Sequence, residues 1–150
     1  MFHLARRFFG YVTSQPLTSD ELDRVRSRLS PELFALFLTM NDADQRHAVE
    51  VAERTGTELL AEAALLHDIG KAAAGIGAIE RSLATVIGAL SIPVSGSWKT
   101  YLEHGEVGAS MLEKAGAGPL TVAFARFHPG PTPPGISEDD WLTLEAADDL

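Results

Sequence analysis

The stretch LLHDIGK, residues 65–71, sets a histidine, an aspartate and a lysine within five positions, directly after the apolar run AEAALL. An imidazole and a carboxylate are costly in an apolar interior unless something compensates both. Two arrangements would do so: a helix end at which His67 and Asp68 reach water, or a partner that the two side chains share. Imidazole nitrogen and carboxylate oxygen together suit Fe, Mn, Zn, Ni or Co. A carboxylate beside a histidine can also bridge two ions, the arrangement that clamps attacking and leaving oxygens. The chain offers four more histidines, His3, His47, His104 and His128. They lie too far apart for a local ligand motif of the HExxH kind, and their spacing carries no information by itself. Taken singly, a histidine on an apolar helix face is ordinarily a hydrogen-bonded core residue, and Asp148 a solvated helix-end charge.

What decides between these readings is which elements carry the residues. Thr18-Ser19-Asp20-Glu21 is a capping box ahead of Leu22, Val25 and Leu29. Ser30-Pro31 opens a second helix, PELFALFLTM. Asn41 or Asp42 caps a third, running to about Arg54 and stopped by Gly56. Glu58 to Ile69 reads as a fourth helix, apolar nearly all round and therefore central, with Gly70 where a left-handed residue belongs. Ile76, Ile79, Leu83, Val86 and Leu90 mark a fifth. SIPVSGS (91–97) is a loop, and a sixth helix runs from about Trp98 to Lys114. Pro119 begins a short seventh, PLTVAFARFH, and PGPTPPG (129–135) is irregular. Ser137 caps a last helix through Trp141 and Leu144.

The expected fold is all-α, a single-domain bundle of about seven to eight helices, with an N-terminal arm over residues 1–17 and the helical domain over 18–150. His3 lies in the arm. His47, His67, His104 and His128 each fall on a different helix, and a bundle can point one side chain from each of several helices at a common centre. Asp148 continues the Trp141–Leu144 stripe inward, whereas Asp149 falls on the neighbouring face.

Composition narrows the chemistry. With no cysteine, disulfides and thiolate metal sites are excluded, so any metal must be held by His, Asp and Glu. The net charge of −9 argues against general affinity for nucleic acid or anionic membrane. No apolar run has the length of a membrane span. The start, MFHLARRFFGYV, lacks the apolar core and cleavage site of a signal peptide, and the expected compartment is the cytoplasm.

These residues resemble the HD-domain superfamily of metal-dependent phosphohydrolases, whose pattern is a histidine, an adjacent His-Asp pair and a distant aspartate. His47 in RHAVEVA is similar to the first element, His67-Asp68 in LLHDIGK to the name-giving pair, and Asp148 in LEAADDL to the last. Binuclear members add two histidines, which His104 in YLEHGEVGASML and His128 in ARFHPG resemble. The resemblance covers about residues 42 to 150. It implies an all-α fold and one ion held by His47, His67, Asp68 and Asp148. A second ion would be held by His104 and His128, with Asp68 bridging; a mononuclear site stays open, as does Asp149 in place of Asp148. The ions would be divalent transition metals (Fe, Mn, Ni, Co or Zn), with Mg less favoured.

The implied activity is hydrolysis of a nucleotide or small phosphorylated metabolite by a metal-activated water, with Asp68 and Lys71 in catalytic roles. Lys71, Arg81 and Arg46 are candidates to neutralise the substrate, against surface roles for each. Gly70 and Gly75 would let the backbone pass close to the metals. FHPGPTPPG lacks the His-His-Glu and Gly-Tyr-Pro signatures of the members that cleave cyclic dinucleotides, so cyclic di-GMP is not the expected substrate. Two alternatives remain: a di-iron oxygenase on the same fold, and a non-catalytic nucleotide-binding regulatory domain. The substrate and the oligomeric state are not legible.

Overall fold

Residues 15–74 and 103–149 are described by the structure, a computed structural model. Among them the chain forms seven α-helices and no strand. In order these are α1 (Ser19–Arg28), α2 (Pro31–Phe37), α3 (Asp42–Thr55), α4 (Ala61–Leu66), α5 (His104–Lys114), α6 (Pro119–Phe127) and α7 (Glu138–Asp148). Two 3-10 turns flank α4, at Glu58–Leu60 and Ile69–Ala74. Residues 1–14, the expected fifth helix, the loop 91–97, Gly75, Arg81, Trp98 and Tyr101 lie outside the described residues. None of the described helices is long and apolar enough to cross a membrane.

The helix starts follow from side-chain oxygens that satisfy free backbone N–H groups. Thr18 Oγ1 accepts from Glu21 N while Glu21 Oε2 accepts from Thr18 N, a closed capping box. Ser30, Asn41 and Ser137 accept in the same way from Leu33, Asp44 and Asp140. Helix α3 stops at Gly56, whose φ of 68° is the left-handed conformation that glycine adopts without a Cβ penalty.

The expected fourth helix is broken into three pieces. After the 3-10 turn at Glu58–Leu60, α4 is only six residues long, and His67 is its C-cap. The chain then continues through the second 3-10 turn rather than stopping at a left-handed Gly70, which is not among the positive-φ glycines. Gly70 is needed for a different reason. A Cβ there would lie 1.9 Å from the His104 carbonyl oxygen and 2.8 Å from Gly108 N. Gly108 faces back, its own Cβ position 3.0 Å from Gly70 N. Two glycines therefore let the backbone after Asp68 touch the start of α5.

That start also differs from expectation. Glu103 is a turn residue, so His104 is the first residue of α5 rather than a position inside a helix begun near Trp98. No side-chain cap marks this start, which is why the sequence does not show it.

Helix α4 sits at the centre, packed on α3 and α6, while α5 packs on α6 and the second 3-10 turn, and α7 on α3. Leu65, Leu66, Ile69, Leu112, Phe124, Trp141 and Leu144 are fully buried around it. Each such side chain contributes about 1.5–3 kcal/mol of burial, and these contacts anchor the segment that carries His67 and Asp68.

Candidate metal centre

Five elements end at, or pass, one point. Helix α3 brings His47, the end of α4 brings His67 and Asp68, α5 opens on His104, α6 closes on His128, and α7 finishes with Asp148. His47 Nε2 lies 2.9 Å from Asp148 Oδ1. His67 Nε2 lies 3.4 Å from Asp68 Oδ2 and 3.5 Å from Asp148 Oδ1. The other Asp68 oxygen, Oδ1, faces His104 Nε2 at 3.7 Å and His128 Nε2 at 3.8 Å. The rings of His47 and His128 flank that of His67, with centroids 5.4 and 5.0 Å away.

Backbone carbonyls orient the two most deeply placed imidazoles. Ala64 O lies 2.8 Å from His67 Nδ1, and Phe124 O lies 2.6 Å from His128 Nδ1. A carbonyl only accepts, so Nδ1 carries the proton in both rings and Nε2 is the atom presented to the cluster. This is the outer hydrogen bond that metal-binding histidines ordinarily make.

Among the described residues, two buried side-chain atoms have no hydrogen-bond partner: His67 Nε2 and Asp68 Oδ1. Leaving such groups bare costs about 1–3 kcal/mol each. Their nearest neighbours are other donors of the same cluster, at distances too long for a hydrogen bond. Ligands on one tetrahedral ion, with bonds of about 2.0–2.1 Å, stand about 3.4 Å apart. The residues thus fit a metal in donor type, in spacing and in unmet bonding. Two overlapping groups have donor atoms within 4.8 Å of one another: His47–His67–Asp148 and His67–Asp68–His128. His67 belongs to both.

The charges point the same way. Burial opposes an imidazolium at His67, yet the Asp68 and Asp148 carboxylates overcome it and raise the pKa well above the ordinary value. Burial also opposes ionisation of Asp68, but Lys71 and His67 hold its carboxyl well below the usual range. Asp148 is likewise depressed, burial being outweighed by His47 and His67. At His128, burial and the neighbouring His67 charge push the pKa down, which keeps its Nε2 lone pair free. Two ionised carboxylates in a dry setting demand positive charge, which a proton on His67 and the Lys71 ammonium supply here.

The lysine and arginine candidates separate. Lys71 Nζ forms a close ion pair with Asp68 Oδ2, so it is at the cluster. Arg46 is not brought there: its guanidinium is held by Glu21 and by the carbonyls of Gln15 and Pro16. It precedes His47 by one position on α3, and adjacent helical positions point about 100° apart. Asp149 is exposed and outside the cluster, whereas Asp148 is within it.

Other residues hold the ligand-bearing elements in place without a signal in the sequence. Glu62 Oε1 accepts from Gly118 N and Thr121 Oγ1, tying α4 to the start of α6. Arg54 Nη1 donates to the Ala147 carbonyl, next to Asp148. Gly105 has no room for a Cβ, which would lie 2.8 Å from the Arg126 carbonyl oxygen.

A model of the HD domain matches residues 45–146. The chain belongs to the HD-domain family. HD domains bind divalent metal ions and are generally metal-dependent hydrolases of phosphorylated substrates. The matched stretch holds His47, His67, Asp68, His104 and His128 and stops two residues short of Asp148, which lies 2.9 Å from His47. No curated protein and no solved structure matches the chain.

Proposed function

We propose that the protein is a metal-dependent phosphohydrolase acting on a nucleotide or small phosphorylated metabolite. The observation that carries this reading is the pair of buried, unpartnered atoms, His67 Nε2 and Asp68 Oδ1, inside a convergence of N and O donors in an HD-domain chain. His47, His67, Asp68 and Asp148 would hold one divalent transition metal, and His104 and His128 a second, with Asp68 turned toward both groups. When bound, such ions lower the pKa of water and polarise a phosphoryl oxygen.

The chain's own residues supply the rest. Ala64 and Phe124 carbonyls keep the Nε2 atoms of His67 and His128 pointed at the centre. Asp68, nearly fully buried, stays ionised and presents its two oxygens to opposite sides. Lys71 has a flexible stem and is partly exposed. Its ammonium is placed to leave Asp68 for a phosphoryl oxygen and so to offset charge that the carboxylates would repel. His47, His104 and Asp148 form the more open rim, while His67, Asp68 and His128 form the floor. A cavity of about 170 Å³ adjoins that rim between the end of α6 and α7, walled by Phe124, His128, Pro129, Glu145 and Asp148. The part of the substrate beyond the phosphoryl group would enter there.

Elemental analysis of protein purified without chelator, together with phosphatase and nucleotidase panels in Mn, Ni, Co and Mg, tests the reading. One to two transition-metal ions per chain and metal-dependent phosphate release are expected. Absence of bound metal, with no release under any ion, would refute it. Dioxygen consumption by iron-loaded protein without phosphate release would assign the same donors to an oxygenase instead. Tight nucleotide binding without turnover under any metal would assign the chain to a regulatory role.

A further inference from the structure

Gly130, two residues after His128, is gripped from one side by α7 through both of its backbone groups. Its N–H donates to Glu145 Oε1 at 2.9 Å, and its carbonyl accepts from Trp141 Nε1 at 2.9 Å. On its other side a Cβ would meet the Phe127 carbonyl oxygen at 2.8 Å. The turn is therefore squeezed between the end of α6 and one face of α7. His128 itself is fixed to α6 by Nδ1 and by its backbone N–H, both to the Phe124 carbonyl.

Trp141, Glu145 and Asp148 stand four and three residues apart and so lie along one stripe of α7. Trp141 is fully buried, edge-on to Phe124 with centroids 5.2 Å apart, and Phe124 stacks on the His128 ring at 4.7 Å. The same stripe that ends in Asp148, a donor of one group, thus holds the turn that follows His128, a donor of the other.

We infer that Glu145 is a positioning residue that sets His128 against Asp148, with Trp141 as the rigid half of the clamp, and that occupancy of the His104–His128 side depends on the Glu145 carboxylate. This rests on the two-group metal reading proposed above. His128 Nε2 has no direct contact with Asp68 Oδ1 at 3.8 Å to hold it in place, so its position is set from outside the cluster. A ligand displaced by about 1 Å is a poor ligand.

The test titrates Mn(II) and Co(II) into metal-free full-length protein and reads stoichiometry and stepwise affinity, with thermal melting of the metal-free forms alongside. Glu145→Ala should keep the first ion and bind the second about ten- to a hundredfold more weakly. Glu145→Gln should recover much of that loss, because its amide oxygen still accepts from Gly130. Two ions at wild-type affinity in Glu145→Ala would overturn the inference. So would parallel loss of both ions together with a collapse in melting temperature, which marks a general structural role. Wild-type protein that takes up only one ion would overturn the two-group reading itself, and is distinguishable because it involves no substitution.

Discussion

Arg126 and Asp68 keep opposite kinds of electrostatic company. On the surface, Arg126 Nε and Nη2 meet Glu106 and Glu113 at 3.0 Å each, and the pairs close on themselves. In the interior, neighbouring donors face Asp68 Oδ1 and His67 Nε2 at 3.4 to 3.8 Å, too far to satisfy these two atoms. The residue types differ little, a carboxylate facing a base in both places. Surface pairs contribute about 0–1 kcal/mol and are dispensable. The interior set is costly when bare, and in the reading proposed above a metal offsets that cost. Spacing, more than charge, marks the functional region.

The largest break of this contrast is Asp68→Ala. Both of its oxygens face other donors, so its loss should empty the centre and reduce metal-supported phosphate release about a thousandfold, the scale of a main electrostatic contributor. Arg126→Met should leave metal content unchanged. Elemental analysis and phosphate assays of the two variants, with circular dichroism to verify folding, check both halves. Full metal content in Asp68→Ala would erase the distinction between the regions.

Next in size are two glycines that sequence treats alike and structure does not. Gly70→Ala drives a Cβ into the backbone of His104, which cannot step aside, and should cost about 3 kcal/mol while disturbing the donors on both sides of the crossing. Gly56→Ala meets nothing within 4 Å and strains only its φ of 68°, for about 1 kcal/mol with the metal retained. Urea midpoints and metal content separate a close approach from a turn conformation. Equal costs at the two positions would show that the 70–108 contact does not govern the site.

These glycines also show where sequence reading stops. Helices α1, α2, α3 and α7 are legible because their caps are local, and α6 because Pro119 marks its start. The preference for Asp148 over Asp149 as the inward residue follows from the Trp141–Leu144 stripe, since one face of a helix is a periodic property. The break at His67, the start of α5 at His104 and the role of Gly70 are not local. Each depends on a backbone crossing between segments some thirty or more residues apart in sequence. Arg46 gives the same lesson from the surface: nothing in RHAVEVA reveals that Glu21, on another helix, holds its guanidinium. Glu62 and Glu145 read as ordinary helical glutamates until the turns they hold are folded against them.

The smallest expected effect belongs to that Arg46–Glu21 pair, and it tests whether Arg46 stands apart from the centre. The hydrogen bond from Arg46, joined by bonds from the Thr18 backbone and hydroxyl, holds the Glu21 carboxyl at about 2 instead of its ordinary 4.5. A depressed native pKa means that folding favours the ionised form. Its contribution is therefore fully present above pH 4.5 and fades as the pH falls toward 2. Glu21→Gln should flatten the acid side of the urea-midpoint profile across that window, leave the profile above pH 4.5 nearly unchanged, and leave metal content unchanged. Because the pair lies at the surface, high salt should shrink the difference. A Glu21→Gln protein that loses its metal would instead tie Arg46 to the cluster through His47, its neighbour in the chain, and the two regions would then be one.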